Sequence, residues 1–256
     1  MKNVFTILGS GSSLGSPWIN NYWGRSDKDK PKNHRTRCCA HLKFKNLSIL
    51  IDTSPDIKKQ FLDNKIIKVD YVLYTHEHAD QTSGIFELRP FFFKTRKRIN
   101  VYANNRTLKI LKKKYDYCFF GGQGYIPILK ANNIKNKFSL GTYNNKINFK
   151  TFDVKHGQIH STAYVFNKIA YLSDCNDIDK KNFENLKNLN YLIIDCLRRS
   201  PHPSHFNLET ALKYINLLKP RKAILTNLHN DLDYNYLKKI LPRNILPAFD
   251  GMKIKI

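Results

Sequence analysis

Short apolar runs alternate along the chain with segments whose apolar positions recur at helical spacing, and Gly, Pro, Asn and Asp mark the junctions. Val4 to Leu8 reads as a strand running into the turn Gly9-Ser10-Gly11-Ser12-Ser13. A polar, basic loop from about Asn20 to Arg37 follows, and Pro17 and Pro31 argue against regular structure there. His41 to Phe44 and Ser48 to Ile51 read as two short strands across a turn at Asn46, the second ending on Asp52. Ser54-Pro55-Asp56 has the form of a helix start, with Ser54 as cap and Pro55 at the first position, where its missing donor is not needed. That helix is expected to turn Ile57, Phe61 and Leu62 inward. Val69 to Tyr74 is a further apolar strand, and it delivers the chain to Thr75-His76-Glu77-His78-Ala79-Asp80.

Downstream, a helix is expected near Thr82 to Phe91, a strand at Ile99 to Ala103 and a helix at Arg106 to Lys114. Tyr115 to Lys137, rich in Gly, Asn and aromatics, reads as an excursion from the core. Strands follow near Ile147 to Asp153, Thr162 to Phe166, Ile169 to Leu172, Tyr191 to Asp195 and Ala223 to Thr226. Helices are expected at Leu208 to Leu218 and Tyr234 to Ile240, with a last strand at Ile245 to Phe249. No fixed-period repeat or low-complexity linker interrupts this order, so a single α/β domain over 1–256 is expected, with sheet layers covered by helices.

Composition narrows the class. Apolar residues make up 41% and aromatics 12% of 256 residues, enough for a sizeable core, which excludes a disordered chain. No apolar stretch approaches the roughly 20 residues of a spanning helix, and the apolar part of the amino terminus is too short for a secretory signal. A cytoplasmic protein without membrane association is expected. Five cysteines with no CxxC spacing read as reduced thiols. Lys and Arg number 44 against 20 Asp and Glu, a formal charge of +24. That balance suits a polyanion, a small phosphorylated substrate, or compositional drift toward the AT-rich codons of Lys, Asn and Ile, and charge alone does not choose among them.

Chemistry enters at His76, His78 and Asp80. Residues two apart in an extended segment point the same way, so these three can converge on one point, and imidazole with carboxylate suits Zn2+ or Mn2+. Metal-ligand types recur at later strand ends: His156 after Val154-Lys155, Asp174 after Leu172-Ser173, and His229 after Asn227-Leu228. Each is ordinary alone, but together they describe a site assembled along one sheet edge.

This arrangement resembles the metallo-β-lactamase superfamily, whose hallmark is a His-x-His-x-Asp-His loop after a strand, followed by a distant His, a bridging Asp and a final His. The resemblance covers nearly the whole chain: Gly9 to Ser16, Asp52, Thr75 to Asp80, Gly84, His156-Gly157, Ser173-Asp174, Asp195 and His229. The stretches Gly9 to Pro17, Asp52 to Asp56 and His202-Pro203-Ser204-His205 look like the branch containing the phosphoribosyl cyclic phosphodiesterase of phosphonate catabolism. The resemblance implies a four-layer αββα sandwich of two mixed sheets flanked by helices. It implies His76, His78 and His156 as ligands of one metal, Asp80 and His229 of a second, Asp174 bridging, and His205 assisting the leaving oxygen. Two departures stand out. Gln81 occupies the place of the last loop histidine, and a neutral amide oxygen is a poorer zinc ligand than imidazole, so a second ion is expected to be loosely held, exchanged for manganese, or absent. The cysteine cluster that holds a structural zinc in the phosphonate enzyme is missing between Pro17 and Lys30, so no structural metal is expected there.

The function expected is metal-dependent hydrolysis of a small cyclic or nucleotide-like phosphodiester by a metal-activated water, with Asp80 orienting the water and His205 protonating the leaving alkoxide. Two other readings stay open. An RNA-processing nuclease would use Lys94 to Arg98, Lys112 to Lys114 and Arg198-Arg199 to hold a polyanion. A degenerate, non-catalytic binding protein is the other, with Gln81 as its argument. RNA as a partner and a homodimer likewise stay open.

Overall fold

The computed structural model describes residues 3–122 and 124–256. The first half runs β1 (Val4–Gly9), β2 (Cys39–Phe44), β3 (Leu47–Ile51), α1 (Ile57–Asn64), β4 (Tyr71–Leu73), α2 (Ala79–Thr82), α3 (Arg89–Thr95), β5 (Ile99–Ala103), α4 (Asn105–Lys114), α5 (Asp116–Phe120) and β6 (Leu129–Asn133). The second half runs β7 (Lys137–Leu140), β8 (Ile147–His156), β9 (Ile159–Phe166), β10 (Ile169–Leu172), β11 (Tyr191–Asp195), α6 (Leu208–Leu218), β12 (Lys222–Thr226), α7 (Tyr234–Ile240), β13 (Ile245–Pro247) and β14 (Met252–Lys255). They form two seven-stranded mixed sheets, ordered β14-β1-β2-β3-β4-β5-β6 and β13-β12-β11-β10-β9-β8-β7. No helix among the described residues is long and apolar enough to cross a membrane.

The strands are apolar on both faces because both faces are covered. In β10, Ile169 and Tyr171 enter the core between the sheets while Ala170 and Leu172 pack under helices. In β11, Ile193 faces inward between sheets and Leu192 and Ile194 face outward, as the two-residue period of a strand requires. The inter-sheet core joins Phe5, Ile7, Leu42 and Ile49 to Phe149, Tyr164 and Tyr171. Outer cores seat α1 and α4 on the first sheet through Phe61, Leu108 and Leu111, and α6 and α7 on the second through Ala211, Ile215 and Leu237. This is the four-layer sandwich that the resemblance implied.

Several local expectations need correction. Leu62 is 71% exposed, because α1 turns Ile57, Gln60 and Phe61 inward and Leu62 lies one residue, about 100°, off that face. Gln60 takes the inward place because its amide donates to the Arg37 carbonyl and the Thr36 hydroxyl. Ser54 does not cap α1. Its hydroxyl accepts from the Asp56 N–H at 3.1 Å, and the helix starts after Asp56. The helix expected over 82–91 is broken into α2, a 3-10 turn at Ile85–Leu88, and α3, whose start carries Pro90, which has no N–H to extend a preceding helix. The expected excursion over 115–137 joins the core instead: Cys118, Phe119 and Leu129 are buried, and β6 extends the first sheet parallel to β5. The edge strand β14, paired antiparallel to β1, escaped the hydrophobic pattern because its alternation Met252-Lys253-Ile254-Lys255 is short and half charged.

The functional ends of both sheets meet. The Thr162 N–H donates to the Thr75 carbonyl at 2.9 Å, and the Tyr164 hydroxyl donates to the Tyr74 carbonyl at 2.7 Å, so β9 of the second sheet is stitched to the exit of β4 in the first.

Candidate metal centre

The centre is built from strand ends. Asp52 follows β3 with a φ of 65°, a left-handed backbone that turns its carboxylate back toward the β4 exit. There it accepts the Thr75 N–H at 2.8 Å and the Thr75 hydroxyl at 2.9 Å. With its own proton committed to Asp52, the Thr75 hydroxyl oxygen is left to accept from His76 Nδ1 at 3.0 Å. His156 closes β8, and its Nδ1 donates to the Ser204 carbonyl at 2.7 Å. Both imidazoles therefore bear their proton on Nδ1 and a lone pair on Nε2.

Those lone pairs converge. His76 Nε2 lies 3.1 Å and His156 Nε2 3.2 Å from His78 Nδ1, with His76 and His156 buried and His78 exposed. Three imidazole nitrogens at this spacing repel unless a cation lies among them. Two nitrogens each about 2.0–2.1 Å from a tetrahedral zinc would be about 3.3 Å apart, so the group fits a cation of that kind. Burial pushes His76 down to about 3, and burial together with His156 lowers His78, which keeps these two neutral and available as ligands.

Beside it stands a second group, His156, Asp174 and His205. His205 lies on the loop before α6, and its Nδ1 donates to Asp195 at 2.7 Å, with Asp174 4.0 Å away. Burial alone would lower His205, but Asp195 more than offsets it and holds the ring up at about 9, so it is an imidazolium at neutral pH. Asp80 is pushed up to about 6 by burial and by the neighbouring Asp174. Asp174 itself is lowered, since His76, His205 and His156 outweigh its burial.

Two of the expected ligands stand outside both groups: Asp80, expected to converge with His76 and His78 but accepting instead from Gln81, and His229. His229 belongs to neither group: its Nδ1 lies 3.3 Å from Asp231 Oδ1, and its ring sits edge-on to Trp18 at 5.7 Å between centroids. Two amides instead occupy the carboxylates. Gln81 Nε2 donates to Asp80 Oδ2 at 3.3 Å and to Asp174 Oδ2 at 3.2 Å. Asn227 Nδ2 donates to Asp174 Oδ1 and Asp195 Oδ1, each at 3.2 Å. Thr75, Ser204 and Asn227 carried no signal in the sequence beyond their place, Thr75 and Asn227 just after strands β4 and β12 and Ser204 in a loop. A cleft of about 690 Å3, lined by Asn176, His202, His205, Asn207 and Lys213 among others, adjoins the His205 side and is of a size for a small ligand.

Comparison with known proteins identifies the family and the fold. Residues 48–227 match the family model described as the beta-lactamase superfamily domain. A solved diphosphatase of the PhnP family is 30% identical, superposes with a TM-score of 0.89, and is covered over 98% of its length by 100% of this chain. The metallo-β-lactamase fold protein YhfI of Bacillus subtilis, 14% identical with full coverage of both chains, superposes with a TM-score of 0.73 and shares the fold. Among curated proteins, an octanoyltransferase of Porphyromonas gingivalis is 30% identical over 256 residues, which is 96% of this chain and 50% of that protein, so the chain spans about half its length. The chain belongs to the beta-lactamase superfamily and has the metallo-β-lactamase fold.

Proposed function

We propose that the chain is a metal-dependent hydrolase that cleaves a small anionic phosphodiester at the His76, His78 and His156 centre. The observation that carries this reading is the placement of an imidazolium, His205, beside a group of three imidazoles, two of them buried, whose nitrogens are spaced to fit a cation. His76, His78 and His156 would hold a Zn2+ or Mn2+ ion, which when bound would lower the pKa of a water toward about 7 and offset charge on the phosphoryl oxygens. Asp80 orients the attacking water and accepts its proton. Asp195 accepts the hydrogen bond from His205 Nδ1, which leaves the Nε2 proton for the departing oxygen. The exposed edge of His78 and the cleft beside His205 give a small substrate access. The diphosphatase at 30% identity supports a phosphorus–oxygen bond as the one broken, and so makes a diphosphate linkage the second substrate class to try.

Hydrolysis of bis(p-nitrophenyl) phosphate by metal-reconstituted protein tests the reading. Loss of an outer hydrogen-bond partner alone costs about 10–100-fold at metal centres, so His76→Ala and Asp174→Ala should each lower the rate by more than about 100-fold. Full activity in either variant, stripped of metal, would overturn it.

A further inference from the structure

Asp174 is the carboxylate that would bridge two cations, yet amide groups hold both of its oxygens. Oδ2 accepts from Gln81 Nε2 and Oδ1 from Asn227 Nδ2, each at 3.2 Å. The same Gln81 nitrogen reaches Asp80 Oδ2 at 3.3 Å, so its two N–H bonds link the two carboxylates that a second cation would otherwise have to join. The orientation of the amide follows from charge: Oε1 in that place would face two carboxylate oxygens, and Oε1 instead lies buried with no partner among the described residues. Gln81 is fully buried, so water does not share the task of offsetting the two acids.

The neighbouring cluster of His156, Asp174 and His205 offers no separate second set, because it shares His156 with the first and its His205 Nδ1 donates to Asp195. His229 has turned to Asp231 and lies outside both clusters of ligand-type atoms. Asn227, held at a φ of 61°, presents its amide between Asp174 and Asp195 and leaves Asp174 Oδ1 occupied. A histidine at position 81 would offer either a lone pair, which calls for a cation, or a single N–H on the facing nitrogen, which can satisfy one carboxylate. A glutamine offers two N–H bonds on one atom, enough for both.

We propose that this centre holds one cation per chain, at His76, His78 and His156, and that the Gln81 amide fills the place of a second. The inference rests on the reading of the histidine group as a cation site, and ion counting separates the two. Full-length protein is loaded with Zn2+ or, separately, Mn2+, freed of excess by gel filtration, and its bound metal is measured by mass spectrometry. One ion per chain is expected for the natural protein. Two ions per chain, with the magnetically coupled signal of a Mn2+ pair, would mean that the amide turns over to offer Oε1 and would overturn the proposal. No retained ion would overturn the histidine site itself, and with it the function proposed above. Gln81→Glu removes the two N–H bonds and adds a third carboxylate, so it is expected to bind a second ion. A Gln81→Glu protein that still holds only one ion would show that Gln81 does not fill that place. If Gln81→Glu does not fold, Gln81→His is counted against the same two outcomes.

Discussion

His41 shows how one buried side chain sets a pH limit. It lies in β2, 7% exposed, with Nε2 2.8 Å from the Ser48 hydroxyl, which itself donates to the Lys68 carbonyl. Burial, with Lys43 adding to it, pushes the ring down to about 4 from an ordinary value of 6.5. In that interval the unfolded chain binds a proton that the folded chain refuses, so the contribution is whole above 6.5 and is lost as pH falls toward 4. The loss is up to about 3 kcal/mol at 1.36 kcal/mol per pKa unit. Urea unfolding at about pH 7 and about pH 4 should therefore show a smaller drop for His41→Gln than for the natural protein. An equal drop in both would remove His41 from the account. At this same scale part of the site was legible: spacing brought out His76 and His78, which do approach each other, but the third nitrogen beside them belongs to His156, which spacing alone did not join to them, and not to Asp80. The amides of Gln81 and Asn227 were not legible as donors, because an amide in a sequence does not reveal which atom it turns inward or to what.

At the scale of elements, the break between α2 and α3 is a close approach between two loops. The Gly84 N–H donates to the Thr53 carbonyl at 2.9 Å, and the Thr53 N–H donates to the Gln81 carbonyl at 2.8 Å. A Cβ on Gly84 would stand 2.1 Å from the Ser54 carbonyl oxygen and 2.7 Å from Ile57 Cγ2. The backbone atom cannot yield cheaply, so Gly84→Ala should cost about 2–3 kcal/mol, read as a lower urea midpoint at unchanged slope. Stability equal to the natural protein would show that the Ser54 loop can retreat. Strands were legible from apolar runs wherever both faces are covered, as in β4, β10 and β11. The helix over 82–91 was misread because apolar periodicity continues through Gly84 and Pro90, while the hydrogen bonds to Thr53 that interrupt it come from residues thirty positions away.

For the whole molecule, a net charge of +24 means that folding gathers like charges together. Part of the surplus is structural. Arg35, 2% exposed, donates to the carbonyls of His229 and Leu232, and Arg98, in one of the basic runs, donates to the carbonyls of Phe119 and Leu129. Lys94, Arg96, Lys97 and Lys113 stay exposed. Raising NaCl from about 10 mM to about 150 mM shortens the screening length from about 30 Å to about 8 Å and should raise the melting temperature. A melting temperature that falls over this range would mean that attractive pairs outweigh the repulsion. The layout of the centre has a thermodynamic consequence of its own. His76 and His78 issue from the first sheet, whereas His156 and Asp174 issue from the second. An ion shared by these histidines would cross-link the two halves of the sandwich, so its binding would add to the free energy needed to part the sheets. A substitution that weakens ion binding at these histidines should therefore also lower the resistance to unfolding measured with metal present, and leave it less changed when metal is withheld.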